Sequence, residues 1–594
     1  MSKKKARWRK LDNAAKLYSA ASNKKDTRVF RFYCELKEEV NPDVLQEALN
    51  QTIETFPTFL MVLRKGLFWH YLEPCNLRPI VKEEYKEPCS RLYIKDKKTL
   101  LFEVTYYKKR INFEVFHVLT DGTGATEFLK ELVKNYLYLI HKVNGLEPVS
   151  LLPEDMTVQD QEVDSFLKYY SKDQKRPEKR KLHAFQIRRK KKDGNHLHVH
   201  ESVVSVQAVL KRSRELGVSM TVFLTALFMM AINEEMSKMQ KKKPVVLMVP
   251  VNLRKFFPSL SMLNFFNWIE PGYNFTTQDQ SFEAILKYTK EFFETELTKE
   301  KMSAHISELL ALELKNLCIQ AGAKYSEKNT TAIFSNMSAV KMHASYVPYI
   351  ERFGVYTNTP KFELCLCSFQ DKLSFAFTSR YDTVNIERNF YRLLKEQGIA
   401  SEKVKPEFPK TDEPSEQEMK VYKIYSFLCI AIVAAMLVTE YNFHPRIRWT
   451  LFTAGGVVTM WISSSIGFFK RYNLLKNAMW QLFIGTIICF IWDALTGWHS
   501  WSVDLVLPIM SVSTLTAMFV IAKVRKCPVR EYLIYEIMAA GYGLILPGIL
   551  LLCKVVKNPT VSMFGALICF LFLVAVILFK GREFKEEMQK NLHV

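Results

Sequence analysis

No CxxC pair occurs among the eleven cysteines of this 594-residue chain, and their number is odd. The length excludes a small disulfide-stapled secreted fold, and scattered thiols fit a reducing compartment. The opening residues, MSKKKARWRKLDNAAKLY, are basic but contain no apolar core segment, so no secretory signal is expected. No internal repeat is visible, and the regular strand–helix–strand rhythm of a doubly wound sheet is missing. Basic residues are abundant, yet they carry no aromatic interleaving or nucleic-acid reading motif, so no nucleic-acid partner is expected.

What is present divides the chain in two. Hydrophobic residues make up 48% and aromatics 13%, enough for large cores, so disorder is not the main theme. Lys and Arg number 83 against 61 Asp and Glu, a net charge of +22 that suits an anionic partner such as a membrane surface or a phosphorylated co-substrate. From Lys420 to Val594, 17 basic and 8 acidic residues are spread between long apolar runs. Six such runs cover about 425–439, 450–469, 478–498, 503–522, 532–553 and 559–579, most of them near the ~20 residues that span hydrocarbon. Eleven basic residues follow the second, fourth and sixth runs, among them Lys470, Arg471, Lys523, Arg530, Lys580 and Lys590. The alternate loops hold four: Arg446, Arg448, Lys554 and Lys557. The positive-inside rule therefore places both termini and the soluble body in the cytoplasm of a multi-pass protein of the cell membrane. Asp493 and Glu536, carboxylates within the runs, are functional candidates by position.

The soluble body reads as mixed α/β in two lobes. Alternation and β-formers predict strands at 28–36, 99–107 and 110–119, with helices over 42–55 and 123–141. Asn41 is the expected N-cap of the first helix, with Pro42 at its first position. A stretch with eleven basic and two acidic residues, 172–192, is the expected linker and a contact for anionic lipid. Beyond it come a strand near His196, helices over 206–216 and 220–240, and strands at 244–249, 331–334, 362–368 and 372–377. A helix at 385–397 follows, and the proline-rich, charged segment 402–418 reads as an irregular tether. The expected divisions are 1–170, a linker 171–195, a second lobe 196–412, a tether 413–420, membrane helices 421–580 and a cytoplasmic tail 581–594.

Within 111–124, INFEVFHVLTDGTG, the residues Ile111, Phe113, Val115 and His117 share one strand face. His117 ends an apolar row where the strand gives way to Asp121 and Gly122, a turn that leaves room for a ligand beside the imidazole. His196, His198 and His200 also alternate, and they read as an exposed edge-strand face, not a metal site.

His117-Val-Leu-Thr-Asp121-Gly122 resembles the HxxxDG motif of the chloramphenicol acetyltransferase-like superfamily, which includes condensation domains and alcohol acetyltransferases. Supporting likenesses are ARWRKLDNAAKLY near the start, GVSMTVFLTALFMMAI at 217–232, VPVNLRKFFPSLSMLNFFNW at 249–268, and Ser335-Asn336. Phe116 stands where wax ester synthases carry a first histidine. The resemblance covers about residues 6–400 and implies a two-lobed fold, here followed by an all-α bundle of about six transmembrane helices. It implies His117 as general base, Asp121 as a brace against an arginine (Arg254 the candidate), and Gly122 as space for the acyl donor. Substrate contacts are implied for Ser335, Asn336, Asn264 and Arg254. No metal or permanently bound cofactor is implied. The expected function is a membrane-bound O-acyltransferase moving an acyl group, acetyl above all, from acyl-coenzyme A to an alcohol or lipid-like acceptor. Its partners would be membrane lipids and those two substrates. Two alternatives stay open: a condensation-type enzyme fed by a carrier protein, and a catalytically silent module on a membrane transport or assembly domain.

Overall fold

A computed structural model describes the whole chain except residues 1–7, 24–25, 67–68, 154–155, 172–182, 188–195, 312–328, 382, 410–413, 444–448, 526–528 and 593–594. It forms two compact units. The first comprises 1–63, 70–94 and 98–412; the second comprises 64–69, 95–97 and 413–594.

The first unit is built on two main sheets. Val29–Leu36 lies between Ile350–Thr357 and Arg110–Phe116, and Phe102–Tyr107 and Lys82–Glu83 extend the sheet beyond Arg110–Phe116. The helices Pro42–Thr55 and Gly122–His141 pack against each other beside it. Asn41 caps the first as its pattern implies, accepting from the amides of Asp43 and Val44. Phe128 of the second helix stacks on Phe113 with ring centroids 4.4 Å apart, anchoring that helix to the strand leading to His117.

The second sheet runs in the order Phe266–Ile269, Val245–Asn252, Ala332–Ala339, Phe362–Phe369, Lys372–Ser379, His198–Ser205, Glu402–Val404. Met220–Glu234 is buried around nearly its whole circumference, as its unbroken apolar middle requires, and it ends six residues earlier than its pattern suggests. The run beyond it, Gln240–Lys242, is a 3-10 turn.

Three expectations are corrected. The strand through 110–119 stops at Phe116, and His117 begins the turn. Ile350–Thr357, far along the chain, pairs with Val29–Leu36 and so belongs to the first sheet. The supposed tether starts with Glu402–Val404 as an edge strand on His198–Ser205, because backbone pairing tolerates charged side chains at a sheet edge. That strand covers 201–203 and stops short of the alternating histidines, of which His200 meets Glu387 at 2.7 Å and His196 pairs with Glu87, carboxylates distant in sequence. The basic linker lies mostly outside the described residues; within it Phe185 is buried and donates its amide to Pro244 at 2.9 Å.

Among the described residues, the second unit has six helices long and apolar enough to cross a membrane, from Met419–Asn442 to Pro559–Gly581. Asp493 is buried and accepts from the amides of His499 (2.7 Å) and Ser502 (3.0 Å) and from the Ser502 hydroxyl (2.7 Å). Its carboxylate thus closes the turn between two helices and is a structural cap.

Gly354 lies opposite Tyr33, and a Cβ there would stand 2.3 Å from the Tyr33 ring. Tyr33 donates to Glu201 of the second sheet at 2.9 Å, so it cannot swing aside freely. Gly354→Ala is expected to destabilise the unit by about 1–3 kcal/mol, read as a lower melting temperature in detergent.

Candidate active site

The site forms where the first sheet ends. Burial of Ile111, Phe113 and Val115 drives Arg110–Phe116 into the core and delivers His117 at its end. The backbone amide of His117 donates to the Arg28 carbonyl at 2.9 Å, holding the turn against the start of Val29–Leu36. Arg28 adopts φ +53°, a left-handed conformation unusual for a residue with a Cβ.

Asp121 anchors the turn. One carboxylate oxygen accepts from the amides of Thr123 (3.0 Å) and Gly124 (3.1 Å), capping Gly122–His141. The other accepts from Arg254 at 2.7 Å and from the Phe265 amide at 2.8 Å. Arg254 also donates to the carbonyls of Ser261 and Leu263, each at 2.7 Å. Its guanidinium is therefore a clamp on the loop 253–265.

That clamp sets Asn264 beside the histidine. Asn264 Oδ1 lies 3.1 Å from His117 Nδ1, and Asn264 Nδ2 donates to both oxygens of Asp12, at 3.0 and 3.3 Å. Asp12 is the N-cap of Asn13–Ala21 and accepts the Ala15 amide at 2.7 Å. Tyr18 of that helix stacks on the imidazole with centroids 4.3 Å apart, and Phe30 (4.7 Å) and Phe266 (5.4 Å) flank it. Burial among these rings pushes the His117 imidazolium down to about 4, although the ring stays partly exposed. Burial likewise pushes the Asp12 carboxyl up to about 7.

The remaining predicted residues sit differently. Met337 fills the space beside Gly122, its sulfur 2.7 Å from where a Cβ would stand. Ser335 is buried within Ala332–Ala339, and the Asn336 amide donates to Thr221 at 3.0 Å. Asp12, Tyr18, Arg28 and Phe266 were not singled out as site residues from sequence. Only Asp12 carries a local signal, as an acidic N-cap ahead of a short helix.

Comparison with known proteins gives a family for the C-terminal part alone: residues 408–594 match a family of unknown function, DUF6320. No curated protein matches. Among solved structures, trichothecene 15-O-acetyltransferase TRI3 from Fusarium sporotrichioides is similar at 10% identity and a TM-score of 0.45. The likeness covers 66% of this chain and 94% of that one. The first condensation domain of the CDA synthetase is similar at 14% identity and a TM-score of 0.47, covering 66% and 96%. F. graminearum TRI101, solved with coenzyme A and deoxynivalenol, is similar at 11% identity and a TM-score of 0.47, covering 67% and 100%.

Arg254→Ala leaves the buried Asp121 carboxylate without its cation and is expected to cost about 3–5 kcal/mol, measured by denaturation of the full-length protein in detergent. Arg254→Lys keeps the charge but not the fork that reaches three backbone and side-chain acceptors, and should recover only part of that loss.

Proposed function

We propose that this chain is a membrane-bound acyltransferase that moves an acyl group, acetyl above all, from an acyl-coenzyme A thioester to the hydroxyl of an alcohol or lipid-like acceptor. The observation that carries this reading is the state of His117. Its Nδ1 faces the carbonyl oxygen of Asn264, so Nδ1 bears the proton and Nε2 keeps a lone pair on a partly exposed ring. A neutral imidazole so arranged is a general base.

The step balances without a metal or redox group. Nε2 takes the proton of the acceptor hydroxyl as that oxygen bonds to the thioester carbonyl carbon. The tetrahedral intermediate collapses by breaking the C–S bond, and the thiolate leaves with the proton from the imidazolium. The oxyanion needs a donor. Asn336 spends one of its two amide hydrogens on Thr221, so its second hydrogen and the Ser335 hydroxyl are both candidates. Asp121 and Arg254 brace the loops without touching the reactants. Six apolar helices support a membrane setting and a lipophilic acceptor, and the basic residues between them support a cytoplasmic soluble unit.

The test is thiol release by purified membranes from acetyl- and longer acyl-coenzyme A, across a panel of alcohols. Acceptor-dependent release should fall by about 10²–10⁴-fold in His117→Ala. Silence of the wild-type protein with every donor and acceptor rejects the reading.

A pH profile follows from the depressed imidazole. His117 acts in its neutral form, and its pKa near 4 means that protonation begins only well below neutrality. In the free-enzyme profile of kcat/KM the limb that belongs to His117 should lie near pH 4, separate from any partial loss near 7 as the Asp12 carboxyl takes a proton. With Asp12 replaced by serine, which removes the carboxyl that titrates near 7, an acid limb that remains near the unperturbed histidine value of about 6.5 would contradict the burial argument.

A further inference from the structure

We infer that the N-terminal segment completes the active site, with Asp12 acting as a positioning residue that works through Asn264 to hold His117 in the tautomer with Nε2 unprotonated. This rests on the transferase reading for its consequence in turnover, but the geometry stands by itself.

An asparagine amide can point either end at an imidazole. With the oxygen facing Nδ1, that nitrogen must donate and Nε2 is the base. With the NH2 facing it, Nδ1 must accept and the proton moves to Nε2, which disables the base. Asn264 Nδ2 lies on both oxygens of Asp12, at 3.0 and 3.3 Å, and in its ionised form, which prevails above about pH 7, that carboxylate only accepts and so selects the first orientation. Both residues are almost wholly shielded from water, Asn264 1% and Asp12 5% exposed, so no solvent competes for these bonds.

Capping alone does not explain the arrangement. The Ala15 amide needs one oxygen of Asp12, and it uses Oδ1 at 2.7 Å. The shorter bond from Asn264 goes to Oδ2 at 3.0 Å, which a cap does not require. The same nine-residue helix places Tyr18 flat on the imidazole, at 4.3 Å and 29°. One short helix therefore fixes both the proton position and the plane of the ring. When His117 takes a proton, the negative end of this chain of bonds also lies on the side of the new positive charge, as the third group does in a nucleophile–base–acid triad.

The discriminating variant is Asp12→Ser in the full-length membrane protein. Serine still accepts the Ala15 amide and preserves the helix cap, but supplies no carboxylate for Asn264. The expected result is an unchanged melting temperature, kcat lower by about 10²-fold, and KM within about threefold of wild type. Asn264→Ala should show the same split. A second readout is independent of turnover: carbethoxylation of His117 by diethyl pyrocarbonate at neutral pH, followed peptide by peptide with mass spectrometry. Reaction needs the Nε2 lone pair, so both variants should label His117 severalfold more slowly. If the wild type transfers no acyl group but the labelling difference persists, the positioning role holds and only the reaction class falls. If Asp12→Ser matches wild type in both labelling and kcat, or if labelling quickens as the melting temperature drops, Asp12 is a cap and the inference is overturned.

Discussion

The carboxylate of Asp121 is the constraint on which the site depends. It accepts from two amides of its own helix, from Arg254 and from the Phe265 amide, four donors from two separate stretches of chain. A buried carboxylate is tolerable only with such complete satisfaction. Because the Phe265 amide is one of the four, the preceding residue has little freedom, and Asn264 is delivered to His117. A second link between the same stretches, Thr120 to the Met262 carbonyl at 2.6 Å, holds the other flank.

Behind this, the first sheet carries charge where a simple α/β sheet carries only apolar residues. Arg31, buried, joins Glu84 at 2.6 Å and Glu114 at 2.7 Å, and Arg110 joins Glu84 at 2.7 Å. Tyr33 and Arg352 reach Glu201 of the second sheet. Paired charges of this kind contribute little net stability, but breaking one leaves an uncompensated ion. They specify how the two sheets face each other, and that registry keeps the loop 253–265 within reach of the strand end that bears His117.

The parts legible in sequence were those written in short range. The helix at 42–55 carried its own cap and proline, the six apolar runs carried their own length, and the alternation of 110–116 led to His117. The contacts that make His117 a base were not legible. Asn264 lies 147 positions from it and Asp12 a further 252 from Asn264, and nothing in periodicity links such residues. The strand Ile350–Thr357 escaped for a related reason: Glu351 and Arg352 interrupt its apolar pattern because they pair with Lys372, Glu35 and Glu201. Of the alternating histidines, His196 and His200 meet carboxylates that come from distant elements, Glu87 and Glu387, which the sequence pattern does not reveal.

The membership of Ile350–Thr357 in the first sheet has a consequence for synthesis. A ribosome adding about 5–20 residues per second releases Val29–Leu36 early, and its outer neighbour emerges only after more than three hundred further residues have been added. Throughout that interval the nascent chain presents an open sheet edge, the feature most prone to pairing with other chains. Once residue 357 is out, little time remains before the first long apolar helix follows. Closure of the first unit and emergence of the long apolar helices are therefore neighbouring events in time, and a pause in translation between them would favour the folded product.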